Sequence, residues 1–152
     1  MGRKTWIRGW SFALAVAAGS LMGCKPGTPS LPTSAETTDK VALVIRAAKE
    51  SNGGRPMHVV VRSVTRKSFV EDEYAAVAKL VLQPDESVVE RIVVFPGQVY
   101  VMGLSFKKVP AAIGIYGLFT STSGESWKTM AEHPRAIEVS VGATAFVKVS
   151  VE

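Results

Sequence analysis

Cysteine is nearly absent from this sequence: of 152 residues, only Cys24 carries a thiol. A single cysteine excludes an internal disulfide and a cluster of thiolate metal ligands. Histidine is almost as scarce. His58 and His133 stand in separate segments with no partner at ligand spacing, so neither a metal site nor a cofactor is expected. No Gly-x-Ser-x-Gly elbow, phosphate-cradling glycine loop or His-Glu-x-x-His helix occurs, which argues against an enzyme. No apolar run reaches the roughly 18 residues that a spanning helix requires. Nor is there a Lys/Arg-rich stretch interleaved with aromatics, so nucleic acid is not an expected partner.

What is present begins with a leader. Arg3, Lys4 and Arg8 form a basic start without an acidic residue, and Phe12-Ala13-Leu14-Ala15-Val16-Ala17-Ala18 is a short apolar run ending in Gly19 and Ser20. These are the parts of a secretory signal. The next four residues, Leu21-Met22-Gly23-Cys24, resemble the bacterial lipobox. That resemblance implies a signal peptide over 1–23, cleavage before Cys24, a thioether-linked lipid on its sulfur and an acylated amine. Acyl chains anchor at about 0.8 kcal/mol per buried CH2, so two or three hold firmly. The leader also accounts for part of the basic character. The whole chain has 18 Lys+Arg against 13 Asp+Glu, and removing Arg3, Lys4 and Arg8 leaves 15 against 13.

Residues 24–40 read as a lipidated cysteine and a Pro/Ser/Thr-rich flexible tether, with Pro26, Pro29 and Pro32 at near-regular spacing. Residues 41–152 read as one domain. Val41 to Ala48 and His58 to Thr65 are apolar and β-branched enough to be strands. Between them Lys49-Glu50-Ser51-Asn52-Gly53-Gly54-Arg55-Pro56 is a polar turn segment, its glycines suited to positive φ. Such a loop reads as solvated, so shortening it is expected to leave thermal stability unchanged. Ser68 and Glu71 then form a capping-box pattern, with Glu71, Asp72 and Glu73 in the first turn of a helix. Val70, Tyr74, Val77 and Val81 would make its apolar stripe, and Pro84 its end. Strand patterns follow over Ser87 to Phe95, Gln98 to Phe106, Ala111 to Thr120, Ile137 to Val141 and Ala145 to Val151. Gly114 and Gly117 suggest a bulge or an edge in the third of these. Trp127 stands alone among polar neighbours. The expectation is an all-β sandwich of about seven to eight strands, with one short amphipathic helix after the second strand.

A lipobox, a Pro/Ser tether, Gly54-Arg55-Pro56 before Val59-Val60-Val61-Arg62, the stretch Leu82-Gln83-Pro84-Asp85-Glu86, and Pro96-Gly97 before a strand ending in Phe106 occur in this order. In that order they resemble the TssJ (SciN-like) lipoproteins of the type VI secretion system. Trp127-Lys128 stands where that family often has Trp-Arg. The apolar run within 107–124 departs from it, since a brief polar link is usual there. The resemblance implies a transthyretin-like sandwich on the inner leaflet of the outer membrane, binding the periplasmic part of a TssM-like inner-membrane core protein. The implied contact lies in the loop between the first two strands, here Lys49 to Pro56. Lys25 after the cysteine, where enteric inner-membrane lipoproteins tend to have Asp, also favours the outer membrane. A different class of reading is a periplasmic carrier or chaperone. It calls for a cavity of at least ~300 Å3 between the sheets, lined by residues such as Phe95, Leu104 and Phe106.

Overall fold

Val41, Leu43, Ile45 and Ala47 alternate with Lys40, Ala42 and Arg46, and the first set is buried while the second is exposed. This period of two makes Asp39–Ala47 a strand, β1, that covers a core with one face only. The computed structural model describes residues 39–122, 124 and 126–152; the leader, Cys24 and the tether up to residue 38 lie outside the described residues.

Seven further strands follow: β2 (Met57–Val64), β3 (Val88–Val94), β4 (Val99–Phe106), β5 (Ala112–Leu118), β6 (Lys128–Glu132), β7 (Ala136–Val141) and β8 (Phe146–Val151). They form two four-stranded sheets with the orders β4-β1-β7-β8 and β3-β2-β5-β6. All pairings are antiparallel except β1 with β7, where Leu43 lies opposite Ile137 and Ile45 opposite Val139. Leu43, Ile45, Leu104, Ile137 and Val139 of the first sheet share one buried cluster with Val59, Val61, Val94, Ile113 and Ile115 of the second. Each such aliphatic side chain withdrawn from water contributes about 1.5–3 kcal/mol before entropy is charged against it. The expected all-β sandwich is what the chain forms.

The second sheet does not alternate. Val59, Val60 and Val61 are all fully buried, as are residues 112–117. A strand reads this way when both its faces are covered. The outer cover is the connection from β2 to β3, which holds two short helices, α1 (Arg66–Glu71) and α2 (Tyr74–Lys79). Phe69 packs against Tyr116 at 5.9 Å between centroids, and Tyr74 meets Trp127 edge-on at 5.1 Å. Trp127 is therefore a buried member of this outer layer and not an isolated surface ring.

Three details differ from the sequence expectation. The single helix is two, because Asp72 is extended at φ −64, ψ 116 and breaks it. The cap is also earlier. The Thr65 side chain accepts from the Ser68 amide, and the Ser68 side chain accepts from the Thr65 amide. This leaves Val70 exposed, off the stripe that Tyr74, Val77 and Val81 bury. Lys128–Glu132 is an additional strand, β6, at the edge of the second sheet.

β5, expected to carry a bulge or to lie at an edge, is instead central, between β2 and β6, and pairs with both without a register shift. Its glycines serve packing. A Cβ on Gly114 would stand 2.6 Å from the Tyr116 hydroxyl oxygen, and one on Gly117 would stand 2.6 Å from the Phe119 ring and 2.8 Å from Met57 Cε. The Tyr116 ring, wholly buried, has no room to give. Gly114→Ala is expected to cost about 2–3 kcal/mol by overpacking, lowering Tm by about 10 °C. Gly103→Ala, with open space around it, serves as the control and should leave Tm unchanged in the same thermal melt.

Candidate functional site

Residues 48–56 do not close a hairpin, since β1 and β2 belong to different sheets and the loop crosses between them. Asn52, Gly53 and Gly54 are successively left-handed, at φ 51, 62 and 77. Glycine adopts this conformation freely and asparagine with little penalty. Arg55 then turns extended, at φ −111 and ψ 148, the region to which the following Pro56 restricts it.

The loop is not simply solvated. Lys49, Glu50, Gly53, Gly54, Arg55 and Pro56 are exposed, but Ser51 and Asn52 are buried. Asn52 is the brace. Its amide donates to Gly142 O at 3.2 Å, its side-chain NH2 to Pro56 O at 3.0 Å, and its side-chain oxygen accepts from the Thr120 amide at 2.6 Å. One residue thus ties the 48–56 loop to the β5–β6 and β7–β8 connections. The β3–β4 turn joins the same end, where Ala47 donates to Gln98 O and Gly97 to Ala48 O. The expectation that shortening the loop would leave stability intact is not supported, because such a cut removes the brace.

An open cleft of about 280 Å3 lies among these connections, lined by Asn52, Gly53, Arg55, Thr120, Ser121, Ala143 and Thr144. Nothing in composition or spacing marks the last four residues, which enter only through tertiary placement. Phe95, Leu104 and Phe106 do not line it; Phe95 is exposed in a turn and Leu104 is part of the core. The residues named for an apolar carrier cavity are therefore not gathered around this cleft. Asp39, where the described domain begins, lies at the other end of β1, about 30 Å away along a nine-residue strand.

A second polar cluster sits beneath the helices. Arg62 donates from Nη1 to Asp72 Oδ1 at 2.6 Å and from Nε to Ser87 Oγ at 2.9 Å, and the Tyr116 hydroxyl donates to Asp72 Oδ2. Burial first, then the hydrogen bond to Asp72, pushes the Tyr116 phenol well above its ordinary value, so it remains a donor. Lys128 Nζ donates to the carbonyls of Phe69, Val70 and Asp72 at 3.1, 3.2 and 3.0 Å, closing the end of α1. These contacts hold the helical connection on the sheet and explain the break at Asp72. The acidic run at 71–73, read as a helix first turn, lies at this break instead. His58 and His133 are both exposed, and among the described residues no group of His, Cys, Asp or Glu is placed to hold a metal.

Chains of this architecture recur among solved type VI secretion proteins. The lipoprotein TssJ1 from Pseudomonas aeruginosa superposes with a TM-score of 0.62 at 14% identity, over 76% of this chain and 98% of that one. Serratia marcescens Lip, a membrane-bound component of the type VI secretion system, gives 0.62 at 13% identity, over 76% and 99%. A chain in a structure described as the TssM C-terminal domain (869-1107) from EAEC gives 0.61 at 12%, over 74% and 98%. At such identities these matches show the fold: the eight-stranded, two-sheet sandwich of the TssJ-like class. Residues 58–143 match the family described as IglE, N-terminal domain, over more than half the chain, and the chain belongs to that family of type VI secretion lipoproteins. No curated protein matches it.

Proposed function

We propose that this chain is an outer-membrane lipoprotein of the type VI secretion membrane complex, held by acyl chains on Cys24. Its loop-bearing end binds the periplasmic part of a TssM-like inner-membrane protein. The observation that carries this reading is positional. The three connections tied together by Asn52, and the β3–β4 turn bonded to Ala47 and Ala48 beside them, lie at the end of the sandwich opposite Asp39, the first described residue. A domain held from its N-terminal side through a flexible tether keeps the braced end free to meet a partner. Binding residues on loops displayed by a rigid scaffold are the common arrangement. The fold's occurrence in structures described as the TssM C-terminal domain and as the type VI membrane complex supports the choice of partner. Membership of a family of structural lipoproteins supports a role without catalysis.

The test is calorimetric titration of the full chain with the periplasmic region of the TssM-like protein of the same bacterium. Saturable binding is expected, and absence of heat and of pull-down would reject the partner. The anchor has its own test. Mass spectrometry of the natural protein should find acyl chains on Cys24 as first residue, and Cys24→Ser should yield a folded but unanchored protein. An unmodified, membrane-free natural protein would contradict the anchor.

A further inference from the structure

The cleft at the braced end is lined by one charged residue among the described residues, and that residue is a cation. Arg55 is exposed and, like Arg91 and Arg135, forms no ion pair among the described residues, whereas Arg46, Arg62 and Arg66 each have a carboxylate partner within 3 Å. Its backbone is fixed from both sides, by three left-handed residues before it and Pro56 after it. The rest of the lining is suited to an extended chain carrying an anion. Thr120, Ser121 and Thr144 bring hydroxyl donors, while Gly53 and Ala143 leave room for a backbone to approach. A volume of about 280 Å3 falls below the usual range for cofactor sites, and matches one or two side chains.

Resting on the reading of this end as a docking surface, we infer that the cleft receives an Asp or Glu side chain from an extended segment of the protein partner, with Arg55 as its counter-ion. Guanidinium and carboxylate pair through two parallel hydrogen bonds, which a lysine cannot reproduce. Arginine in such a position is among the residue types that dominate binding at interfaces.

The test uses small probes, so that it does not depend on which protein the partner is. The full chain, 15N-labelled, is titrated with acetyl-Ala-Asp-Ala-amide, with its Asn counterpart, and with inorganic phosphate, each to about 10 mM. The expected result is that the Asp peptide alone shifts the Arg55 side-chain signal and the amides of Thr120 and Ala143. Arg55→Gln should weaken this at least about tenfold with an otherwise unchanged spectrum, and Arg55→Lys should fall between. Equal shifts from the Asn peptide or from phosphate, shifts confined to other surfaces, or no shifts at all would overturn the inference. Loss of TssM-like binding in the unaltered chain, with the Asp-peptide shifts retained, would reject the partner and leave the cleft's chemistry standing.

Discussion

Asp72→Ala is expected to lower the thermal midpoint by about 15 °C. Asp72 and Arg62 expose only 14% and 12% of their side chains, so the pair is largely removed from water. Deleting Asp72 leaves Arg62 with only the half-exposed Asp85 carboxylate, 4.0 Å away, as counter-ion, so the cost falls in the lower part of the range for a broken buried pair, about 3–4 kcal/mol. At about 4 °C per kcal/mol for a domain near this size, that is the stated fall. Tyr116 loses its acceptor at the same time, and the break between α1 and α2 loses the carboxylate that fixes it. The companion variant Arg62→Met/Asp72→Leu removes both charges together and should recover a large part of the loss. Additive losses in that double-mutant cycle, measured by chemical denaturation, would show that the two side chains do not act as a unit.

Asn52→Ala is expected to have the largest effect on the braced end, lowering stability by about 2–3 kcal/mol and, if that end docks as proposed, partner affinity by more than about tenfold. Alanine pays about 1–2 kcal/mol to hold the left-handed backbone. It also leaves the Thr120 amide and Pro56 carbonyl without the side chain that satisfies both. Asn52→Gly separates the two contributions, since glycine keeps the backbone at no steric cost and loses only the side-chain bonds. Calorimetry of both variants against the partner should show affinity falling in each, with the smaller stability loss in Asn52→Gly. Unchanged affinity in both would mean that the brace does not shape the binding surface.

How much of this was visible beforehand follows from the range of the interactions involved. The apolar run Val41 to Ala48, the β-branched run His58 to Thr65 and the alternating pair Ile137 to Val141 and Ala145 to Val151 are local signals, and strands stand there with ends shifted by one or two residues. The turn chemistry of Asn52-Gly53-Gly54-Arg55-Pro56 was equally local. Its burial was not, because Thr120 and Gly142 lie about 70 and 90 positions further along. The helix looked continuous for the same reason: Arg62 and Tyr116 interrupt it from other strands. Gly114 and Gly117 looked like defects until the rings that occupy their missing Cβ positions were placed. β6 passed unnoticed because an edge strand of five residues, with Ala131 its one fully buried side chain, carries almost no periodicity.

The central claim, that the braced end is the surface that meets the TssM-like protein, is tested most directly by site-specific photocrosslinking. A photoreactive residue is placed in turn at Glu50 and Thr144 at that end, and at Val101 and Lys148 on exposed positions of the first sheet. Crosslinks to the partner's periplasmic region from Glu50 and Thr144, with none from Val101 or Lys148, are the predicted result. Crosslinks from the sheet positions, with none from the loops, would contradict it.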